Sequence, residues 1–212
     1  MELSDRFSQL KSRVAELGAN LLPIEFSPIG EYSDQQLDMA RGYRLLVHAE
    51  MESYLEDIAR TVVSAAVREW PQQGKHKTKV AFLASYHSGW SVSAEATDLE
   101  ILEIARSRPK KDSINGVVDI AFKQFLKRVS DNHGIREKNL ATLVMPTGID
   151  IDELDPVWVT NLDSFGKLRG DIAHNSKSTT NLINPKDEFI LIGELMEGLE
   201  VLDRKLLEIH RG

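Results

Sequence analysis

The stretch RGYRLLVHAEMESYLEDIAR, residues Arg41 to Arg60, decides how this chain is built. Leu45, Ala49, Leu55 and Ala59 recur at helical spacing, and Val47, Met51, Tyr54 and Ile58 do so on another face. A helix that is apolar most of the way round is covered on most sides, so this one belongs at the centre of its domain. Ser33 and Asp34 are both candidate N-caps, and the spacing predicts a helix to about Trp70, before Pro71.

On the N-terminal side, residues 3–18 carry Leu3, Phe7, Leu10, Val14 and Leu17 at intervals of three or four. That is one amphipathic helix, expected to end at Gly18, and LLPIEFSPIG then reads as an extended connection. On the C-terminal side, PQQGKHKTK is a polar loop, and VAFLASY is open between a short strand and a helix turn. Helices are expected over about 95–107, before Pro109, and over about 114–130, before DNHG breaks the chain. Asp155-Pro156 is an N-cap and first-turn pair that starts a helix to about Asn175. Residues 176–184 form a Ser-, Thr- and Asn-rich loop, and Asn184-Pro185 opens a long last helix. Ile192, Leu195, Met196, Leu199, Leu202, Leu206 and Ile209 make its apolar stripe. The expected fold is all-α, a bundle of about five to seven helices with a long C-terminal helix.

Composition narrows the function. Hydrophobic residues make up 42% of the 212, enough for a core, and cysteine is absent, which excludes disulfides, iron–sulfur clusters and thiolate zinc sites. No apolar run approaches a membrane span, and the charged MELSDRFSQLKSRVAEL is unlike a secretory signal. The chain reads as soluble and cytoplasmic. Its net charge of −7 excludes a broad basic nucleic-acid face, so any such contact runs through a small cluster of cations. RSRPKK supplies the best one, with Arg106, Arg108, Lys110 and Lys111; KHKTK, residues 75–79, is second. Trp70, Tyr86 and Trp90 are read as core rather than as base-stacking platforms.

Arg169 and His174, in LRGDIAH, are the candidate catalytic pair. The bare pattern is cheap, because Arg41/His48, Arg128/His133 and Arg204/His210 have nearly the same spacing. Context separates them. Arg169 and His174 end a helix beside a polar loop, and Gly170 and Ala173 leave room for a close neighbour. The negative end of a helix stabilises a protonated imidazole. Two readings stand: a phosphate-handling pair, or side chains that simply close the helix carbonyls.

Arg44, His48, Glu52, Glu56 and Arg60 recur every four residues. We read them as a solvated ladder of ion pairs rather than a metal site. Di-iron bundles need Glu-x-x-His on each of two helices, which this sequence lacks. His48 or Glu52 can also support Arg169 and His174 from across the bundle. There is no Gly-rich phosphate loop, nucleophile elbow or HExxH.

The segments RGYRLLVHAEMESYLEDIAR and FGKLRGDIAHNS, followed by a long C-terminal helix, resemble the HEPN superfamily, most closely its RiboL-PSP-type nucleases. The resemblance spans about Leu37 to His210, strongest at the two ends. It implies one helical domain over 1–212, with 1–30 as N-terminal helix and connection and 31–212 as core bundle. It implies an endoribonuclease without metal or cofactor, homodimeric, with Arg169 and His174 catalytic. It further implies a toxin or anti-phage role, with an antitoxin or other defence-system protein as partner. Asp171 and Asn175 are second candidates for orienting the His or the phosphate. The residue after the Arg, commonly Asn, Asp or His in active members, is Gly170 here, with Asp171 next. That departure keeps an alternative open: a non-catalytic HEPN-like interaction or sensor module.

The chemistery fits the residue types. Cutting RNA with its own 2′-hydroxyl needs a base, an acid and positive charge on the phosphate. His serves the first two near neutral pH, and the Arg fork serves the third. One His cannot take and give a proton in the same step, so two copies in a dimer suit the reaction.

Overall fold

The computed structural model of the chain describes residues 3–73, 80, 83, 97, 99, 102, 113–174 and 183–211. Among them are six α-helices and no strand: α1 (Asp5–Leu21), α2 (Asp34–Gln73), α3 (Ser113–Ser130), α4 (Glu137–Val144), α5 (Pro156–His174) and α6 (Pro185–Arg211). Two 3₁₀ turns, Met145–Thr147 and Ile151–Glu153, join α4 to α5. The expected all-α bundle with a long last helix is the observed fold. Val80 and Leu83, from VAFLASY, are helical and buried, and Leu99 and Leu102 are helical and exposed.

Helix α2 is the axis, and each of the other five helices packs on it. Its forty residues span about 60 Å at 1.5 Å each. Tyr43, Val47, Met51, Tyr54, Leu55, Ile58, Ala59, Val62 and Val63 are all buried, on faces that meet different neighbours. A capping box starts it: Ser33 Oγ accepts from the Gln36 N–H at 3.3 Å, and the Ser33 N–H donates to Gln36 Oε1 at 2.9 Å. The helix does not stop at Trp70 but runs through Pro71 to Gln73. Losing one hydrogen bond to a proline does not end a helix whose preceding turn, with Ala65 and Ala66, is held by burial.

Helix α1 likewise continues past Gly18 to Leu21. Gly18 lies beside Tyr43, where a Cβ would make ordinary contact at 3.7 Å from the hydroxyl, so it neither ends the helix nor is demanded by packing. Phe7, Leu10, Val14 and Leu17 are buried along the helix, each contributing roughly 1.5–3 kcal/mol. Ser4 caps α1 by accepting from the Phe7 N–H, and it ties the helix to α6. Its N–H and Oγ donate to the fully buried Asp203 carboxylate at 2.8 and 2.6 Å, and the Tyr54 hydroxyl joins them at 2.9 Å. Burial and the Asp203 charge hold the Tyr54 hydroxyl well above its usual pKa.

Helix α4 has no counterpart in the sequence expectations. It is only eight residues long, and it buries Leu140, Leu143 and Val144. The capping expectations hold elsewhere. Asp155 Oδ1 accepts from the Val157 N–H at 2.8 Å, and Asn184 Oδ1 accepts from the Lys186 N–H at 2.9 Å. Trp158 locks α5 onto α6: its ring lies over Gly198, and its Nε1 donates to the Leu195 carbonyl at 3.1 Å.

Candidate active site

Four turns of α2 carry Arg41, Arg44, His48, Glu52 and Glu56 along one ridge. The expected solvated ladder is not what forms there. Arg44 is 6% exposed and His48 1% exposed, because α5 and α6 cover this ridge. Arg44 turns away from its own helix and grips Glu188 of α6 with both edges of its fork, Nε to Oε1 at 2.8 Å and Nη2 to Oε2 at 2.7 Å. Its guanidinium carbon also sits 5.1 Å from the centre of the Phe165 ring. Burial pushes the Glu188 carboxyl up, and the Arg44 charge opposes that shift. Arg60 pairs with Asp57 at 3.0 Å rather than with Glu56.

The His48 ring stacks on Phe165 of α5, with centres 6.0 Å apart. Among the described residues neither ring nitrogen has a hydrogen-bond partner, and Nδ1 stands 3.6 Å from Glu52 Oε2, too far for a hydrogen bond. Burial pushes its pKa down to about 4, and the positive charge of Arg169 pushes the same way. Glu52 moves the opposite way. Burial and the Glu56 charge raise its pKa, while Arg169, the Gly134 N–H and His133 hold the rise in check.

The floor of this region is the turn after α3, which sequence reading took only as a chain break. Asn132 Nδ2 donates to Glu56 Oε1 at 2.8 Å and to the Gly134 carbonyl at 3.0 Å, while its Oδ1 accepts from Asn139 at 2.9 Å. Gly134, with φ at 151°, bends the turn so that its N–H meets Glu52. The turn lies directly on α5, because a Cβ at Gly166 would come within 3.0 Å of Arg136 Cγ. Arg136 is held there by Asp163 at 3.1 Å.

Arg169, half-buried on α5, therefore shares electrostatic surroundings with His48 and Glu52, two of the residues expected to support it. His174 is the last residue of the same helix, and Asp171 lies in its last turn. Asn175 and the basic cluster Arg106, Arg108, Lys110 and Lys111 lie outside the described residues, as do KHKTK, Tyr86 and Trp90. Among the described residues no group of three or more His, Asp or Glu is placed to hold a metal ion. None of their helices is long and apolar enough to cross a membrane. Phe165, Glu188 and Asn132 were not foreseen. Of these only Phe165 carried a signal, one turn before Arg169.

An all-α bundle with a central polar-ridged helix, and an arginine and histidine ending the helix packed across it, is the architecture expected of a HEPN domain. The RiboL-PSP-HEPN family profile matches residues 8–208, nearly the whole chain, and the protein belongs to that family. Comparisons with curated proteins and with solved structures gave no match.

Proposed function

We propose that the protein is a metal-independent endoribonuclease that cuts RNA by attack of the 2′-hydroxyl, with Arg169 and His174 in its active site. The observation that carries this reading is the setting of Arg169. Its charge reaches the buried His48 and the partly buried Glu52 on the central helix, while His174 ends the same helix as Arg169. Membership of the RiboL-PSP-HEPN family supports it.

In this reading His174 takes the proton from the 2′-hydroxyl. The oxygen attacks phosphorus, and the bond to the 5′-oxygen breaks. That oxygen leaves with a proton supplied by His174 of the partner subunit, so the products are a cyclic 2′,3′-phosphate and a free 5′-hydroxyl. Arg169 stabilises the charge on the crowded phosphate. Glu52 acts on Arg169 as a positioning residue, by offering a carboxylate on the far side of its charge. The site is shared across a two-fold dimer, and RSRPKK steers the RNA backbone toward it. The biological setting is a toxin–antitoxin or anti-phage system, with an antitoxin or other defence protein as the restraining partner. Incubating the purified protein with RNA in the presence of EDTA tests the reading directly.

A second reading is favoured by one observation, Gly170 in the position after Arg169. It makes the chain a non-catalytic HEPN-type interaction or sensor module, and a wild type that binds RNA without cutting it selects this reading.

A further inference from the structure

A groove of about 350 Å³ opens between the start of α5 and the middle of α6. Leu154, Trp158 and Leu202 form its floor, and all three are buried. Its walls carry one aliphatic residue from each helix, Val157 at 65% and Val201 at 54% exposed. Single exposed aliphatic residues are ordinary on a protein surface. Two of them over one apolar floor make a contiguous apolar patch, which marks a contact site. The bond from Trp158 Nε1 to the Leu195 carbonyl at 3.1 Å fixes the floor, so the groove is preformed.

Charge at the rim says what fits. Glu153 and Asp155 stand on one bank and Glu194 and Glu197 on the other, all exposed. Lys205 is the one cation among the described residues that line the groove, and its ammonium turns to the Glu153 carbonyl at 2.9 Å. Four carboxylates against one ammonium make the groove negative, in keeping with the net charge of −7. RNA phosphates are repelled there. A neutral apolar ligand would use the floor and leave the rim unanswered. An aliphatic side chain flanked by Lys or Arg answers both.

We propose that this groove docks a basic amphipathic helix of a partner protein, which seats aliphatic side chains over Val157 and Val201 and sets Lys or Arg against Glu194, Glu197 and Glu153. Glu194, Glu197 and Val201 follow one another at spacings of three and four along α6 and span about 10 Å, the rise of two turns of a facing helix. The groove lies about 25 Å along α5 from His174. The contact is therefore separate from Arg169 and His174, and the inference stands whether or not the nuclease reading holds.

The probe is a labelled amphipathic peptide of Leu and Lys, about four helical turns long, titrated with the full chain by fluorescence anisotropy. The same pattern with Glu in place of Lys is its control. The Leu–Lys peptide should bind the wild type and the Leu–Glu peptide should not. Glu194→Lys with Glu197→Lys should weaken binding on the order of 10-fold and flatten its salt dependence. Val157→Ser with Val201→Ser should weaken it by a similar factor and leave the salt dependence unchanged. Asp119→Lys with Glu208→Lys makes the same change in net charge outside the groove, and should bind like the wild type. All six positions are exposed, so the variants keep the fold. Equal weakening by the Asp119 and Glu208 pair would reduce the effect to general attraction and overturn the proposal. So would equal binding of the Leu–Glu peptide, or a wild type that binds neither peptide. Light scattering that shows the Glu194 and Glu197 variant with a smaller assembly than the wild type would give the groove to a second copy of the chain, and would overturn it too.

Discussion

The imidazole of His48 faces the carboxylate of Glu52 across 3.6 Å, one turn apart on the central helix, yet neither ring nitrogen is hydrogen-bonded among the described residues. The ring is neutral in the folded protein until the pH falls to about 4, against 6.5 for a free imidazole. Below pH 6.5 the unfolded chain therefore binds a proton that the folded chain refuses, and stability falls with pH until about 4. At ~1.4 kcal/mol per unit the loss reaches ~3 kcal/mol. His48→Phe keeps a ring against Phe165 and removes the proton. Urea unfolding across this window should show wild type losing stability relative to the variant as pH drops. A difference between them that stays constant from pH 7 to 4 would contradict the assignment.

Gly198 has no room for a side chain, since a Cβ there would sit 2.1 Å from the Trp158 ring. Gly198→Ala must push Trp158 off α6 and break its bond to the Leu195 carbonyl. A cost of about 1–3 kcal/mol or more is expected in denaturant unfolding. In a Trp158→Ala background the same change should cost far less, because the clash is gone. Equal costs in the two backgrounds would show that the contact is not the reason for the glycine.

The helices that sequence made legible are those with a long apolar stripe on one face and a polar cap at the start. In α1 the stripe is Phe7, Leu10, Val14 and Leu17, and in α6 it runs from Ile192 to Leu206. Helix α4 was invisible because eight residues hold too few turns to show a period. The ladder on α2 misled for a different reason. Charges four residues apart look alike whether water or another helix covers them, and the partner of Arg44 lies 144 residues away. The Ser4–Asp203 clamp, 199 residues apart, has no sequence signal either. Of the candidate site, the end of α5 could be read from Gly170, Ala173 and the polar loop beyond. The turn at Asn132 and Gly134 could not, because its role depends on α5 crossing it at Gly166.

The proposed site is complete only when two chains meet, since each contributes one His174. The expectation of a dimer at the end of α5 rests on the small residues Gly170 and Ala173 in its sequence. Light scattering at micromolar concentration should give a dimer, and replacing Ala173 with Arg should shift it toward monomer and reduce cleavage together. A monomer that cuts RNA at the full rate would rule out the shared site.

The most direct test is cleavage of one defined RNA, with EDTA present, by wild type and by His174→Ala side by side. The wild type should cut and leave a cyclic 2′,3′-phosphate on the upstream fragment, while the matching DNA survives. His174→Ala should be slower by on the order of 10²–10⁴. Arg169→Ala should lose roughly 10²–10³, and His210→Ala, a histidine of the same bare pattern at the chain's end, should cut like the wild type. Full activity in His174→Ala, or cleavage that disappears with EDTA, would contradict the account.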